Sequence, residues 1–102
     1  MIDKFCIVGS GNTAWQLAHH FVKNEINLSY IVSRNKEKGS ALASKLGVAF
    51  YSFQDEIPNT TGQFLCVSDQ AISVVSTQLR KQAIWQVHCS GSVSIHEIKH
   101  HN

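Results

Sequence analysis

Apolar residues along the chain follow two rhythms that take turns. Phe5-Cys6-Ile7-Val8 is a continuous apolar run, with Ile2 just before it, and reads as a buried strand. Ala14, Leu17, Ala18, Phe21 and Val22 then recur at i, i+3, i+4, i+7 and i+8, which is one face of a helix expected over about Asn12 to Asn24. Leu28 to Val32 is a second apolar run. A second helix is predicted from Lys36 to Leu46, with Leu42, Ala43 and Leu46 on its buried face and Gly47 as its terminator. Val48 to Tyr51 reads as a short third strand, and Phe53 to Ile57 as a single helical turn before Pro58-Asn59. Phe64 to Val67 reads as a fourth strand, and Ser68-Asp69 opens a helix with Ile72, Val75 and Leu79 on one face. Ala83 to Cys89 is the fifth strand. Strands alternating with helices predict an α/β domain with a parallel sheet and crossover helices. Right-handed crossovers then give the order 3-2-1-4-5, a doubly wound and mostly parallel sheet of about five strands. In that order the ligand crevice lies at the carboxyl ends of strands one and four.

Composition changes this picture little. The 102 residues fit one domain, spanning 1–102, and 43% hydrophobic with 16% charged residues suits an ordinary core. A formal charge of +2 with scattered basic residues argues against a nucleic-acid partner. No signal-peptide pattern and no long apolar span occurs, so no membrane association and a cytoplasmic location are expected. The three cysteines, Cys6, Cys66 and Cys89, sit inside the predicted strands and are expected to be reduced and buried, with Cys89 the leading candidate for a reactive one.

The first strand ends in Gly9-Ser10-Gly11-Asn12-Thr13-Ala14, a Gly-x-Gly-x-x-Ala turn that leads into the first helix. That is how a Rossmann-like dinucleotide-binding strand–turn–helix is written. Gly9 lets the chain turn sharply, Gly11 lets a pyrophosphate approach the backbone, and Ala14 lets the helix pack close to the strand. The helix start offers N–H groups and a positive dipole end to phosphates.

The end of the second strand bears on which cofactor binds. An acidic residue there would bind the ribose 2′-OH of NAD, but the chain has Ser33-Arg34-Asn35, with Lys36 and Lys38 behind. A hydroxyl, a guanidinium and an amide suit a 2′-phosphate, so the sequence favours NADP over NAD. Val67-Ser68-Asp69 falls beside the glycine turn in the proposed order, on the side expected to face the nicotinamide ribose; Asp69 reads first as a helix N-cap. His88-Cys89-Ser90-Gly91-Ser92 ends the fifth strand. Ser90 or Ser92 is a candidate for bonding substrate or cofactor, and His88 is either a proton donor or a core histidine. His96-Glu97-Ile98-Lys99-His100 spells a zinc-protease pattern, yet no third ligand follows it, so no catalytic metal is expected; adventitious metal binding by His96, His100 and His101 is the remaining reading. His19 and His20 are expected on the outer side of the first helix, and Trp15 and Trp85 as packing residues.

Taken together, the glycine turn, the Ser33-Arg34 strand end, Val67-Ser68-Asp69 and Val87-His88-Cys89-Ser90-Gly91-Ser92 resemble NADP-binding Rossmann domains. Among these are the amino-terminal domains of pyrroline-5-carboxylate reductases and of coenzyme-F420-dependent NADP oxidoreductases, and a bacterial group of NADP oxidoreductases in which a helical domain follows. The resemblance implies that Gly9, Gly11, Asn12 and Thr13 hold the pyrophosphate and that Ser33 and Arg34, with Asn35 beside them, hold the 2′-phosphate. It implies that Val67, Ser68 and Asp69 lie along the nicotinamide side, and it places Ser90 and Gly91 in the cofactor-binding set. It also implies a helical second domain that dimerises, making a homodimer, and completes the pocket for a small-molecule substrate. The chain ends before any such domain, so a truncated form without a complete active site is expected. The function expected is NADP(H) binding for hydride transfer; the alternative is a non-catalytic nucleotide-sensing module.

Overall fold

The computed structural model describes residues 3–67 and 71–89. Its elements are β1 (Phe5–Val8), α1 (Asn12–Lys23), β2 (Leu28–Val32), α2 (Lys36–Leu46), β3 (Ala49–Tyr51), β4 (Thr60–Leu65), α3 (Ile72–Leu79), a 3-10 turn (Arg80–Gln82) and β5 (Ala83–His88). The five strands form one sheet in the order β3-β2-β1-β4-β5, and every pairing is parallel. This is the doubly wound order that the alternation of strand and helix patterns predicts.

Strand alternation sends neighbouring residues of β1 to opposite faces. Ile7 joins Leu17, Phe21, Ile31 and Leu42 under α1 and α2, while Cys6 and Val8 join Val32, Leu65, Val75 and Leu79 under α3. With both faces covered, central strands read as unbroken apolar runs, which is why β1 and β2 are visible in the sequence. On the first face, Phe5, Phe64 and Trp85 meet with ring centroids 5.4–6.1 Å apart. Trp85 lies over Gly62 of the neighbouring strand, leaving no room for a side chain there.

Three elements depart from expectation. β4 starts at Thr60, four residues before the predicted Phe64, and ends at Leu65, so Val67 lies beyond it. Its first four residues, Thr60-Thr61-Gly62-Gln63, carry no apolar signal, yet Gln63 is fully buried. Its amide is satisfied: Gln63 Nε2 donates to the Leu79 carbonyl at 2.8 Å, and Gln63 Oε1 accepts from Gln86 Nε2 at 2.7 Å. Gln86 Nε2 also donates to the Ser76 carbonyl, and Gln86 Oε1 accepts from the Ser76 hydroxyl at 2.6 Å. A buried polar chain of this kind stands only when each member is paired.

Phe53 to Ile57 forms no helical turn. The Asp55 carboxylate accepts from both the backbone N–H and the hydroxyl of Ser52, and the Asp55 N–H returns to the Ser52 carbonyl, a local closure that competes with helix. α3 starts at Ile72, and the expected cap Asp69 lies outside the described residues, as does Ile2. His19 and His20 are half-buried rather than on an outer face: His19 Nδ1 sits 2.7 Å from the Trp15 carbonyl, and its ring stacks on Trp15.

Candidate functional site

The glycine turn is built by backbone contacts at the carboxyl end of the sheet. The Gly9 N–H donates to the Val32 carbonyl at 2.7 Å, and the Cys66 N–H donates to the Val8 carbonyl at 2.7 Å. Gly9 has φ +128°, and a Cβ there would lie well inside 3.0 Å of the Cys66 carbonyl oxygen. The fold itself therefore requires glycine at this position. Gly11 is different. Its φ of −82° suits any residue, and a Cβ would meet nothing within 4 Å. The protein has no need of glycine here, and the space in front of Gly11 is open to a ligand.

The two helix starts near this turn are also unlike. α2 is capped, with the Asn35 side chain accepting from the Lys38 N–H at 2.9 Å and Glu37 in the first turn. α1 has no side-chain cap and no acidic residue in its first turn. Its first N–H groups and dipole end are left for an anion from outside the chain. Replacing Asn35→Ala is expected to cost about 1 kcal/mol of stability, read as a lower urea midpoint.

A cleft of about 250 Å³ opens beside the turn, lined by Gly9 and Ser10 after β1, Ser33, Arg34 and Asn35 after β2, Phe53 after β3, and Cys66 and Val67 after β4. Apart from Ala71 at the start of α3, the walls come from the carboxyl ends of strands, at the point where the order reverses. Ser33 is only 3% exposed; its hydroxyl donates to Ser10 Oγ at 2.9 Å and accepts from the Asn35 N–H, tying the strand end to the glycine turn. Arg34 is exposed, with its guanidinium carbon 5.9 Å from the centre of the Phe53 ring. The ring holds the cation along the cleft wall. A second recess of about 430 Å³ lies on the other side of the turn, lined by Ser10, Gly11, Asn12, Trp15, Lys38 and Ala41.

The structure thus gathers Gly9, Gly11, Asn12, Ser33, Arg34, Asn35 and Val67 around the turn, and Thr13 follows in the first turn of α1. Ser68, Asp69, Ser90, Gly91 and Ser92 lie outside the described residues, as do His96, His100 and His101. The sequence pattern does not single out several neighbours of the site, among them Ser10, Trp15, Phe53, Lys38 and Cys66. The pattern around Phe53 suggests a helical turn; the signal for its place at the cleft is an aromatic residue just past the end of the third strand. Lys38 was placed merely behind the strand end; its position three residues after the cap brings it to the recess at Gly11.

A doubly wound parallel sheet with a glycine turn at its point of reversal is the frame of a dinucleotide-binding domain. The chain belongs to the shikimate/quinate 5-dehydrogenase family, whose family model matches residues 2–87. Its fold is similar to that of a Bacteroides fragilis protein assigned as an NADP oxidoreductase, with a TM-score of 0.78 and 19% identity over 98% of this chain. The chain spans 40% of the length of that protein's chain. No curated protein sequence matches it.

Proposed function

We propose that this chain is the NADP(H)-binding domain of an oxidoreductase that transfers hydride between nicotinamide and a small-molecule substrate. The observation that carries the reading is one cleft walled by both the glycine turn and the Ser33-Arg34-Asn35 strand end. At the turn between this cleft and the recess at Gly11, the residues Gly9, Gly11, Asn12 and Thr13 receive the pyrophosphate at the uncapped start of α1. Arg34, with Ser33 and Asn35, receives the 2′-phosphate; a guanidinium on an exposed wall suits that dianion, whereas a ribose hydroxyl would call for a carboxylate. Val67, Ser68 and Asp69, with Ser90 and Gly91, belong to the nicotinamide side. The bound cofactor supplies the hydride; the protein binds and orients it.

The resemblance to pyrroline-5-carboxylate reductases and F420-dependent NADP oxidoreductases supports NADP in particular. It also supports a dimeric full-length form in which a helical domain completes the substrate pocket. Among the described residues no helix is long and apolar enough to cross a membrane, and a cytoplasmic location accords with the reduced state proposed for the cysteines.

The test is a titration with NADPH and NADH followed by tryptophan fluorescence, since Trp15 lines the recess at Gly11. NADPH is expected to bind about tenfold or more tighter than NADH, a gap near 1.4 kcal/mol. Arg34→Ala is expected to close that gap while leaving NADH binding little changed. Equal affinities in the unsubstituted chain, or no binding of either nucleotide at millimolar concentration, would overturn the reading.

A further inference from the structure

Beyond the residues assigned to the cofactor, the carboxyl ends of β4 and β5 hold two cysteines side by side. Leu65 pairs with His88 in the parallel register, and the Cys89 N–H donates to the Leu65 carbonyl at 3.0 Å. The next residues, Cys66 and Cys89, are therefore neighbours across the strand pair. Both belong to the buried cluster under α1 and α2, so their side chains leave the sheet on the same face. Neighbouring strands are about 4.7–4.9 Å apart, inside the roughly 4.4–6.8 Å between Cα atoms that a disulfide spans. Both cysteines are free thiols. Cys66 lines the cleft together with Gly9 and Val67, which gives a small oxidant a route to the pair, although the residues are only 9% and 1% exposed.

We propose that Cys66 and Cys89 form a cross-strand dithiol, reached from the cleft through Cys66, that a hydroperoxide oxidises to a disulfide. The chemistry of the two sulfurs is unequal. Contact with Cys89, and then burial, pushes the Cys66 thiol up, while the same contact draws Cys89 below the ordinary thiol value despite its burial. The contact thus favours Cys89 as the attacking sulfur and Cys66 as the resolving one.

The Cys89 thiolate attacks the peroxide oxygen of ROOH, the O–O bond breaks, and RO⁻ takes up the proton that Cys89 released, leaving ROH and a sulfenic acid. Cys66 sulfur then attacks the sulfenic sulfur. The S–S bond forms, the S–O bond breaks, and hydroxide leaves as water with the Cys66 proton. Two electrons pass from sulfur to peroxide oxygen; two thiols and ROOH give a disulfide, ROH and water. Cys6 provides an internal reference. It is fully buried on the opposite face, and burial pushes its thiol up to about 11, so it stays protonated.

The test uses the reduced chain, desalted and exposed to hydrogen peroxide. Trypsin places the three cysteines on separate peptides, 5–23, 46–80 and 82–99. The expected result is a loss of about 2 Da, a join between peptides 46–80 and 82–99, and a free thiol retained on 5–23. In Cys66→Ser the join is expected to vanish and Cys89 to be trapped as a sulfenic acid by a cyclic dione. If that variant does not fold, the peptide map of the unsubstituted chain decides alone. Three intact thiols after peroxide treatment, oxidation of Cys6 at the same rate, or sulfinic acid on 46–80 or 82–99 without a join would each overturn the proposal.

Discussion

Gly9→Ala is expected to lower stability by about 3 kcal/mol or more, and Gly11→Ala by no more than about 1 kcal/mol. Two glycines of one motif thus separate by mechanism. At Gly9, φ is +128° and the added methyl would press on the Cys66 carbonyl, just past the end of β4, where the Cys66 N–H is bonded to the Val8 carbonyl. Neither strain nor overlap can relax without pulling β1 and β4 apart. Domains of this kind are stable by only about 5–15 kcal/mol, so the loss is a large share of the whole. At Gly11 the methyl would enter open space, and only the preference of a helix N-cap for glycine over alanine is lost. Nucleotide affinity is expected to respond in the opposite sense. Gly11→Ala should fold normally and bind NADPH at least about tenfold more weakly, because the methyl occupies the approach of the pyrophosphate. Urea unfolding and a binding titration on both variants check the pair. Unchanged affinity in Gly11→Ala would leave the glycine turn as a structural feature alone.

Gly62→Ala is expected to destabilise the domain by about 2 kcal/mol or more. Its Cβ would fall well inside 3.0 Å of three carbons of the Trp85 ring. That ring is held against Phe5 at 5.7 Å and Phe64 at 5.4 Å between centroids, so it cannot simply swing away. Trp85→Leu alone is also expected to be costly, since an aromatic packing face is lost. The double variant Gly62→Ala/Trp85→Leu should be less destabilised than the sum of its parts, with a coupling of about 1 kcal/mol or more. Urea midpoints for the four chains give this directly, and strict additivity would rule out the proposed contact.

The core strands and both first helices were legible because their residues repeat with a single dominant period. The second strand and second helix, Leu28–Val32 and Lys36–Leu46, match in both bounds. Gly47 takes the left-handed conformation that ends α2, as its identity foretells. The start of β4 was hidden because Gln63 is buried through partners distant in sequence, and a polar residue declares nothing about such partners beforehand. The Phe53 segment was misread because two side-chain bonds from Asp55 outweigh a weak helical pattern. At the site, the glycine turn and Arg34 could be read directly, since each works through local chemistry. The roles of Phe53, Lys38 and the Cys66–Cys89 pair depend on which strand ends become neighbours, and that only the sheet order supplies.

The Gln63–Gln86–Ser76 chain has a consequence for how the domain opens. Among the described residues β5 is an edge strand, and edge strands ordinarily peel away first. Here Gln86 on β5 is bonded both to Gln63 on β4 and to Ser76 on α3, while Gln63 is bonded to the end of α3. Peeling β5 would strand a buried amide on its neighbour and undo the helix anchor at once. The carboxyl-terminal half of the sheet and α3 therefore open as one cooperative unit, rather than fraying strand by strand.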